Sequence, residues 1–280
     1  MRKAFALSIV ALAGLLHAQD GQRGGKPGWP CVPGRPVDPA FLDAAESTGG
    51  QLFLFQKNEA ARSALVMNAS HTHPATVLRA VGNLNGARDF EFPVDPGITS
   101  LLLLASLQCR SAVVVYRPGG QELTVRNSAM SVDLAAGRIL RIDRPEPGPW
   151  RVHLAGTGLF VLSVLAKTDT ALAGVSFTAN RGAANAEEPA PRLKSPLFRA
   201  RQDVEVRLTG QVADLKLQLV AATGDRASEI MPLERIAEGL YLASVTPQVQ
   251  RFRILITGFA PSPWPFQRMS PVLFQAQPSQ

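Results

Sequence analysis

Residues able to do chemistry are few in this chain, and their spacing is informative mainly by what it withholds. His71-Thr72-His73 is the one local pair of imidazoles among four histidines. Side chains two apart on a strand share a side and could hold a metal. No third ligand stands near them, and Pro74 marks a turn, so the pair reads as part of a loop. Gly156-Thr157-Gly158 begins like a dinucleotide fingerprint, but Val161 occupies the third glycine position. Phe160 to Lys167 then alternates as a strand does, where that fingerprint requires a helix. No Gly-x-Ser-x-Gly elbow, His-Glu-x-x-His, Cys-x-x-Cys or phosphate loop occurs. Carboxylates fall mainly in turns and on strand faces expected to be wet, which does not gather the pair that glycoside hydrolysis uses. Asn68-Ala69-Ser70 fits the glycosylation acceptor pattern and matters only in a host that glycosylates. No catalytic, cofactor-binding or metal-ligating residue is therefore assigned, and no cofactor is expected.

The remaining chemistry belongs to Cys31 and Cys109. In an exported chain an even pair of thiols is a candidate disulfide. A buried, unpaired Cys109 acting as a small hydrophobe is the alternative. Export is expected from the first residues. Arg2 and Lys3 precede an apolar run from Ala4 to Leu16, then His17 and Ala18, the layout of a signal peptide cleaved after Ala18. The run is shorter than the about 20 residues a membrane helix needs, and no later stretch is long enough. The expectation is a secreted or periplasmic protein without a transmembrane anchor.

Composition excludes other classes. Of 280 residues 46% are hydrophobic, enough for a packed core. The net charge of +7 includes 29 basic residues, 23 of them arginine, but they are scattered singly and form no nucleic-acid footprint.

The elements that must position these residues are mostly strands. Residues 19–38, rich in Gly and Pro, read as a flexible linker. Asp38 can cap a helix opening at Pro39 and ending at Thr48-Gly49-Gly50. Gln51–Phe55 reads as a strand and Asn58–Met67 as a second helix. Strands are then expected over 76–81, 88–94, 100–107, 112–117, 122–127, 138–143, 150–155 and 160–167, separated by Pro/Gly turns. Trp150, Val152 and Leu154 face inward, while Arg151 and His153 face solvent. After a low-order stretch at 180–196, a second alternating set follows. Val204/Val206/Leu208, Leu215/Leu217/Leu219 and Phe252/Ile254/Ile256 each line one face, while Glu205, Arg207, Lys216, Gln218, Arg253 and Thr257 lie on faces expected to be wet.

Three stretches, taken in order, resemble the region that ends and follows the von Willebrand factor A domain in hemicentin and related proteins. Asp43–Phe55 looks like the last strand of such a domain, and Asn58–Met67 like its final helix. Asp89–Leu101 and Arg144–Trp150 resemble the galactose-binding-like sandwich that comes next. Phe252–Phe259 and Phe266–Ser270 resemble the end of an Ig-like third module. The resemblance implies a mainly β fold of two tandem sandwiches, galactose-binding-like or jelly-roll and then Ig-like, behind a short α/β segment. The corresponding units are 39–70, 71–179 and 197–280, joined by the linker at 180–196. That family's metal-ion adhesion site uses an Asp-x-Ser-x-Ser loop, which this sequence lacks. Metal-dependent adhesion is not carried over, and sugar binding does not follow from a fold name.

The functional expectation is an exported, non-catalytic interaction or structural protein with an unknown protein or glycan partner. A carbohydrate-binding accessory module is the alternative, and a hydrolase with a dispersed site is the least favoured. The contact loops expected to meet the partner are Arg117–Gln121 and Arg144–Pro149, with Arg117, Gln121, Arg144 and Glu146 as candidates, because sandwich loops project.

Overall fold

A computed structural model describes residues 37–124, 128–179, 191–261 and 264–278. The expected signal peptide, most of the expected first linker, Cys31 and most of the stretch at 180–196 lie outside the described residues. The fold is mainly β, as the alternating pattern requires, and belongs to the sandwich class.

Helix α1 (Pro39–Thr48) starts where expected: the Asp38 side chain accepts from the Ala40 amide, and Gly49 ends it at φ 74°. The next two expectations need correction. Gln51–Phe55 joins no sheet. Its apolar side chains Leu52, Phe53 and Leu54 are buried across a sheet face, and the Leu54 amide is satisfied by the Ser106 hydroxyl at 3.1 Å. The expected single helix after it is divided into a 3-10 turn (Lys57–Arg62) and α2 (Ser63–His71).

Five strands form the first sheet: β1 (Ala75–Val94), β2 (Ile98–Tyr116), β3 (Met130–Leu134), β4 (Gly137–Asp143) and β5 (Gly148–Thr168). They pair antiparallel in the order β1-β5-β2-β4-β3. Six strands expected as separate pieces are therefore three long ones. The interruptions read as turns are bends instead, and they lie side by side. Gly86 pairs with Gly156, Gly156 pairs with Arg110, and β2 shifts register on either side of Cys109–Arg110. Gly156 adopts φ 146°, and a Cβ there would overlap the Cys109 carbonyl oxygen. Thus the Gly-Thr-Gly motif is a hinge in the sheet. Folded along that line, the two halves share one core: the Phe90 and Phe160 rings, from opposite halves, lie 5.5 Å apart. Of the strand expected at 122–127, Glu122 makes only an isolated bridge to Tyr116, and residues 125–127 lie outside the described residues.

Leu101–Leu107 is buried without alternation because both faces of β2 are covered. Leu101, Leu103 and Leu107 enter the main core, while Leu102 and Leu104 pack under Phe53 and Val66 of the helical segment. Trp150, Val152 and Leu154 all point into the main core. Burying the indole of Trp150 alone contributes about 4–6 kcal/mol from apolar area.

The second group of sheets comprises β6 (Leu172–Ala179), β7 (Arg192–Leu193), β8 (Leu197–Phe198), β9 (Gln202–Leu208), β10 (Ala213–Val220), β11 (Met231–Pro232), β12 (Glu234–Ala237), β13 (Leu240–Val245), β14 (Arg251–Ala260), β15 (Trp264–Met269), β16 (Phe274–Gln275) and β17 (Gln277–Pro278). One sheet runs β12-β13-β9-β6-β7, and the other runs β11-β10-β14-β15 with β16 on β14. Their inner faces carry the three apolar triplets read from the sequence. The β6 strand precedes the composition break at 180–196, yet it hydrogen-bonds to β9 and so belongs to this second group.

The two groups are tied together at a charged junction. The Val81 amide donates to the Ala222 carbonyl at 2.8 Å, and Gln267 Nε2 donates to the Val77 carbonyl at 2.9 Å. Glu46 of α1 sits between two arginines. Its Oε1 accepts from Arg79 Nε and Nη2 at 3.0 and 2.7 Å, and its Oε2 accepts from Arg253 Nη2. Arg79 further donates to the Ala45, Gly49 and Gly50 carbonyls, and Arg253 to that of Pro271. Both guanidinium side chains are wholly buried. Arg253, expected on a wet face, is dry because α1 lies over that face of β14; Gln218 of β10, expected wet as well, is buried too. Burial, reinforced by neighbouring Arg79, pushes the Arg253 guanidinium down to about 9, with Glu46 opposing. A second buried pair, Arg268–Asp95 at 2.8 Å, links β15 to the β1–β2 turn.

Candidate functional site

The two loops expected to contact a partner are neighbours in space. The first turns at Pro118-Gly119-Gly120, with both glycines at φ above 80° and the Arg117 amide donating to the Gln121 carbonyl at 2.8 Å. Arg117 Nη2 also donates to Gln121 Oε1 at 2.7 Å, which holds the guanidinium over its own turn. The second loop enters through Arg144 at φ 50° and leaves through Gly148 at φ 136°. A Cβ at Gly148 would lie 3.0 Å from Pro118 Cγ, so the loops touch there. Glu146 contributes its backbone carbonyl, which accepts from Trp150 Nε1 at 2.8 Å. The buried ring thus fixes the loop's height above the sheet.

Beside these loops the sheet turns one face to solvent. Arg151 stands across from Glu91 on β1 and Tyr116 on β2, and His153 across from Asp89 and Val114. Asp89 meets both side chains, with Arg151 Nη1 on Oδ2 and His153 Nδ1 on Oδ1, each at 2.6 Å. Arg151 also lies 4.1 Å above the Tyr116 ring. Hydrogen bonding from His153 first, then from Arg151, lowers the Asp89 carboxyl below its ordinary value, with desolvation opposing. A guanidinium stacked on an aromatic ring, next to an imidazole and the loop cation Arg117, suits recognition of carboxylate, sulfate or carbonyl oxygen. His153 is half-exposed, in keeping with its outward assignment.

The histidine pair divides. His71 is exposed, whereas His73 is buried, with Nε2 2.9 Å from Ser100 Oγ. Ser100 in turn donates to Asp143 Oδ1 at 2.8 Å. The order differs from a nucleophile relay, in which the imidazole stands between hydroxyl and carboxylate. Here the hydroxyl stands in the middle and gives its proton to the carboxylate, so Nε2 must be the donor. The imidazole therefore holds the serine in place and does not activate it. Among the described residues, no three His, Cys, Asp or Glu side chains are grouped to hold a metal. Cys109 is buried and disulfide-bonded, and Cys31 lies outside the described residues.

Sequence reasoning missed Glu46, Arg79, Asp95 and Arg268. The usable signal was a charge inside an apolar run, as with Arg79 between Leu78 and Ala80. A buried ion must find a partner, but a linear pattern does not name it.

No protein-family profile matches the chain, and no curated protein matches it. Among solved structures, a Bacillus licheniformis lipase in its propeptide form is 15% identical with a TM-score of 0.36, over 72% of this chain and 43% of that one. A Bifidobacterium dentium β-glucuronidase complexed with coumarin-3-O-glucuronide is 10% identical with a TM-score of 0.25, over 68% and 40%. A Ruminococcus gnavus β-glucuronidase in complex with D-glucuronic acid is 12% identical with a TM-score of 0.24, over 67% and 36%. The chain spans less than half the length of each of these structures, and so shallow a likeness carries no argument about activity.

Proposed function

We propose that this chain is an exported, non-catalytic interaction or structural protein that meets its partner through the 117–121 and 144–149 loops and the strand face of Arg151. The observation that carries this reading is the contact of Pro118 with Gly148, which sets both loops beside the Arg151–Tyr116 stack. The buried ion pairs of the junction support it, because they hold the sandwiches as one rigid presenting body. Hydrogen-bonded charges on that face are already committed to one another, which suits recognition more than proton transfer. The partner is a protein or glycan offering anionic oxygen.

The test is recovery of partner from cell-envelope extract by the mature protein and by an Arg117→Ala/Arg151→Ala variant, with bound material identified by mass spectrometry and glycan analysis. Removal of two charge-assisted contacts should lower recovery about tenfold or more. Circular dichroism should show both proteins equally folded. Equal recovery by the variant would refute the assigned surface.

A further inference from the structure

A different region, at the open edge of the second sandwich, carries the features of a ligand site. Two adjoining hollows of about 590 and 580 Å³ share Val212, Ala213, Asp214 and Phe259, and each by itself is of the size usual for small-ligand sites. Phe259 is 40% exposed and lines both hollows, so part of its ring is open to a ligand. Tyr241 also lines the hollow. Its side chain is nine-tenths buried in the wall of the hollow. A phenolic hydroxyl both donates and accepts, so at the wall of a hollow it can bond a ligand hydroxyl.

The backbone is shaped to the same end. Asp214 adopts φ 49° and falls within a register irregularity of β10 between Ala213 and Lys216. Bulges of this kind re-aim side chains and cluster beside sites. Gly258 makes the bulge possible, since a Cβ there would lie 2.6 Å from the Ala213 carbonyl oxygen. Lys216 and Arg235 complete the lining, which leaves two cations against the one carboxylate of Asp214.

We propose that this hollow binds a glycan bearing uronic acids. One sugar ring lies against Phe259, its hydroxyls bond to Asp214 and Tyr241, and its carboxylate is held by Arg235 and Lys216. An exposed aromatic face matches the C–H face of a pyranose, whose weakly positive hydrogens meet the ring's negative π surface. The surplus of positive charge selects an acidic sugar over a neutral one. An acidic peptide is the less favoured occupant. Strand addition needs an unbroken row of backbone groups, and β12 beside the hollow has a register irregularity between Arg235 and Ala237. This site goes beyond the loop surface and stands or falls separately from it.

Calorimetric titration of the full mature protein with tetragalacturonate, neutral cellotetraose and hexaglutamate tests the proposal. Tetragalacturonate should bind, with cellotetraose and hexaglutamate at least about tenfold weaker. Phe259→Ala and Arg235→Ala should each weaken tetragalacturonate about tenfold, and Tyr241→Phe about threefold. Phe259 and Arg235 are exposed, so unchanged melting temperatures are expected for their variants. Silence with tetragalacturonate, equal binding of either comparison ligand, or full affinity in Phe259→Ala would each overturn the assignment. The loop surface is read in the same samples by partner recovery, which Phe259→Ala should leave intact.

Discussion

Replacing Glu46 with alanine should be among the most damaging single changes to this protein. The carboxylate accepts three hydrogen bonds from two guanidinium groups that have no exposed surface. Without it, two like charges face each other in a dry junction. Each retains some support: Arg79 keeps the carbonyls of Ala45, Gly49 and Gly50, and Arg253 keeps that of Pro271. These partial contacts keep the cost within the usual range for breaking one side of a buried pair, about 3–5 kcal/mol. For a chain of this size that corresponds to a fall in melting temperature of roughly 6–20 °C. The assay is urea denaturation of wild type and Glu46→Ala, followed by fluorescence and circular dichroism. A companion Glu46→Leu/Arg79→Met/Arg253→Met protein separates loss of packing from stranded charge. It should recover most of the lost stability, because apolar replacement of a whole buried ion cluster is often neutral. A loss below about 1 kcal/mol in Glu46→Ala would refute the reasoning, since surface pairs alone reach that size.

Three further outcomes are expected. Gly156→Ala should cost about 2 kcal/mol or more, because the new methyl would overlap the Cys109 carbonyl at φ 146° where β5 bends; near-wild-type melting would show that the bend does not depend on glycine. For Asp89, whose carboxyl is lowered by its bonds from His153 and Arg151, the stabilisation is complete above its unfolded value near 3.8 and fades as pH falls through its lower folded value. The stability gap between wild type and Asp89→Asn, about 0.2–1 kcal/mol at neutral pH for so exposed a group, should thus hold down to about pH 4 and close below it; a gap that closes between pH 5 and 7 would contradict this. Finally, non-reducing peptide mapping of the protein should recover Cys31 and Cys109 in one cross-linked fragment, and alkylation of both thiols without reductant would show that they do not pair.

Much of the local structure is legible in residue order. The Asp38 cap, Pro39 at the start of α1, the Gly49 stop and the inward set Trp150, Val152 and Leu154 depend on neighbours a few positions away. The loops of Arg117 and Arg144 follow from turn residues with restricted φ. That they touch does not, because Pro118 and Gly148 meet only once β2 and β5 have paired.

Residue order by itself determined that this chain builds strands with one oily side and that a short capped helix precedes them, because a period of two and a capping carboxylate are short-range properties. Only the tertiary structure decided that glycines 86, 156 and 158 bend long strands instead of ending them. It alone placed residues 46, 79 and 253 in one dry ion cluster, and it alone gathered Asp214, Lys216, Arg235, Tyr241 and Phe259 around one hollow. The physical reason is that a side chain's pattern selects a face, while burial depends on which distant segment comes to lie over that face.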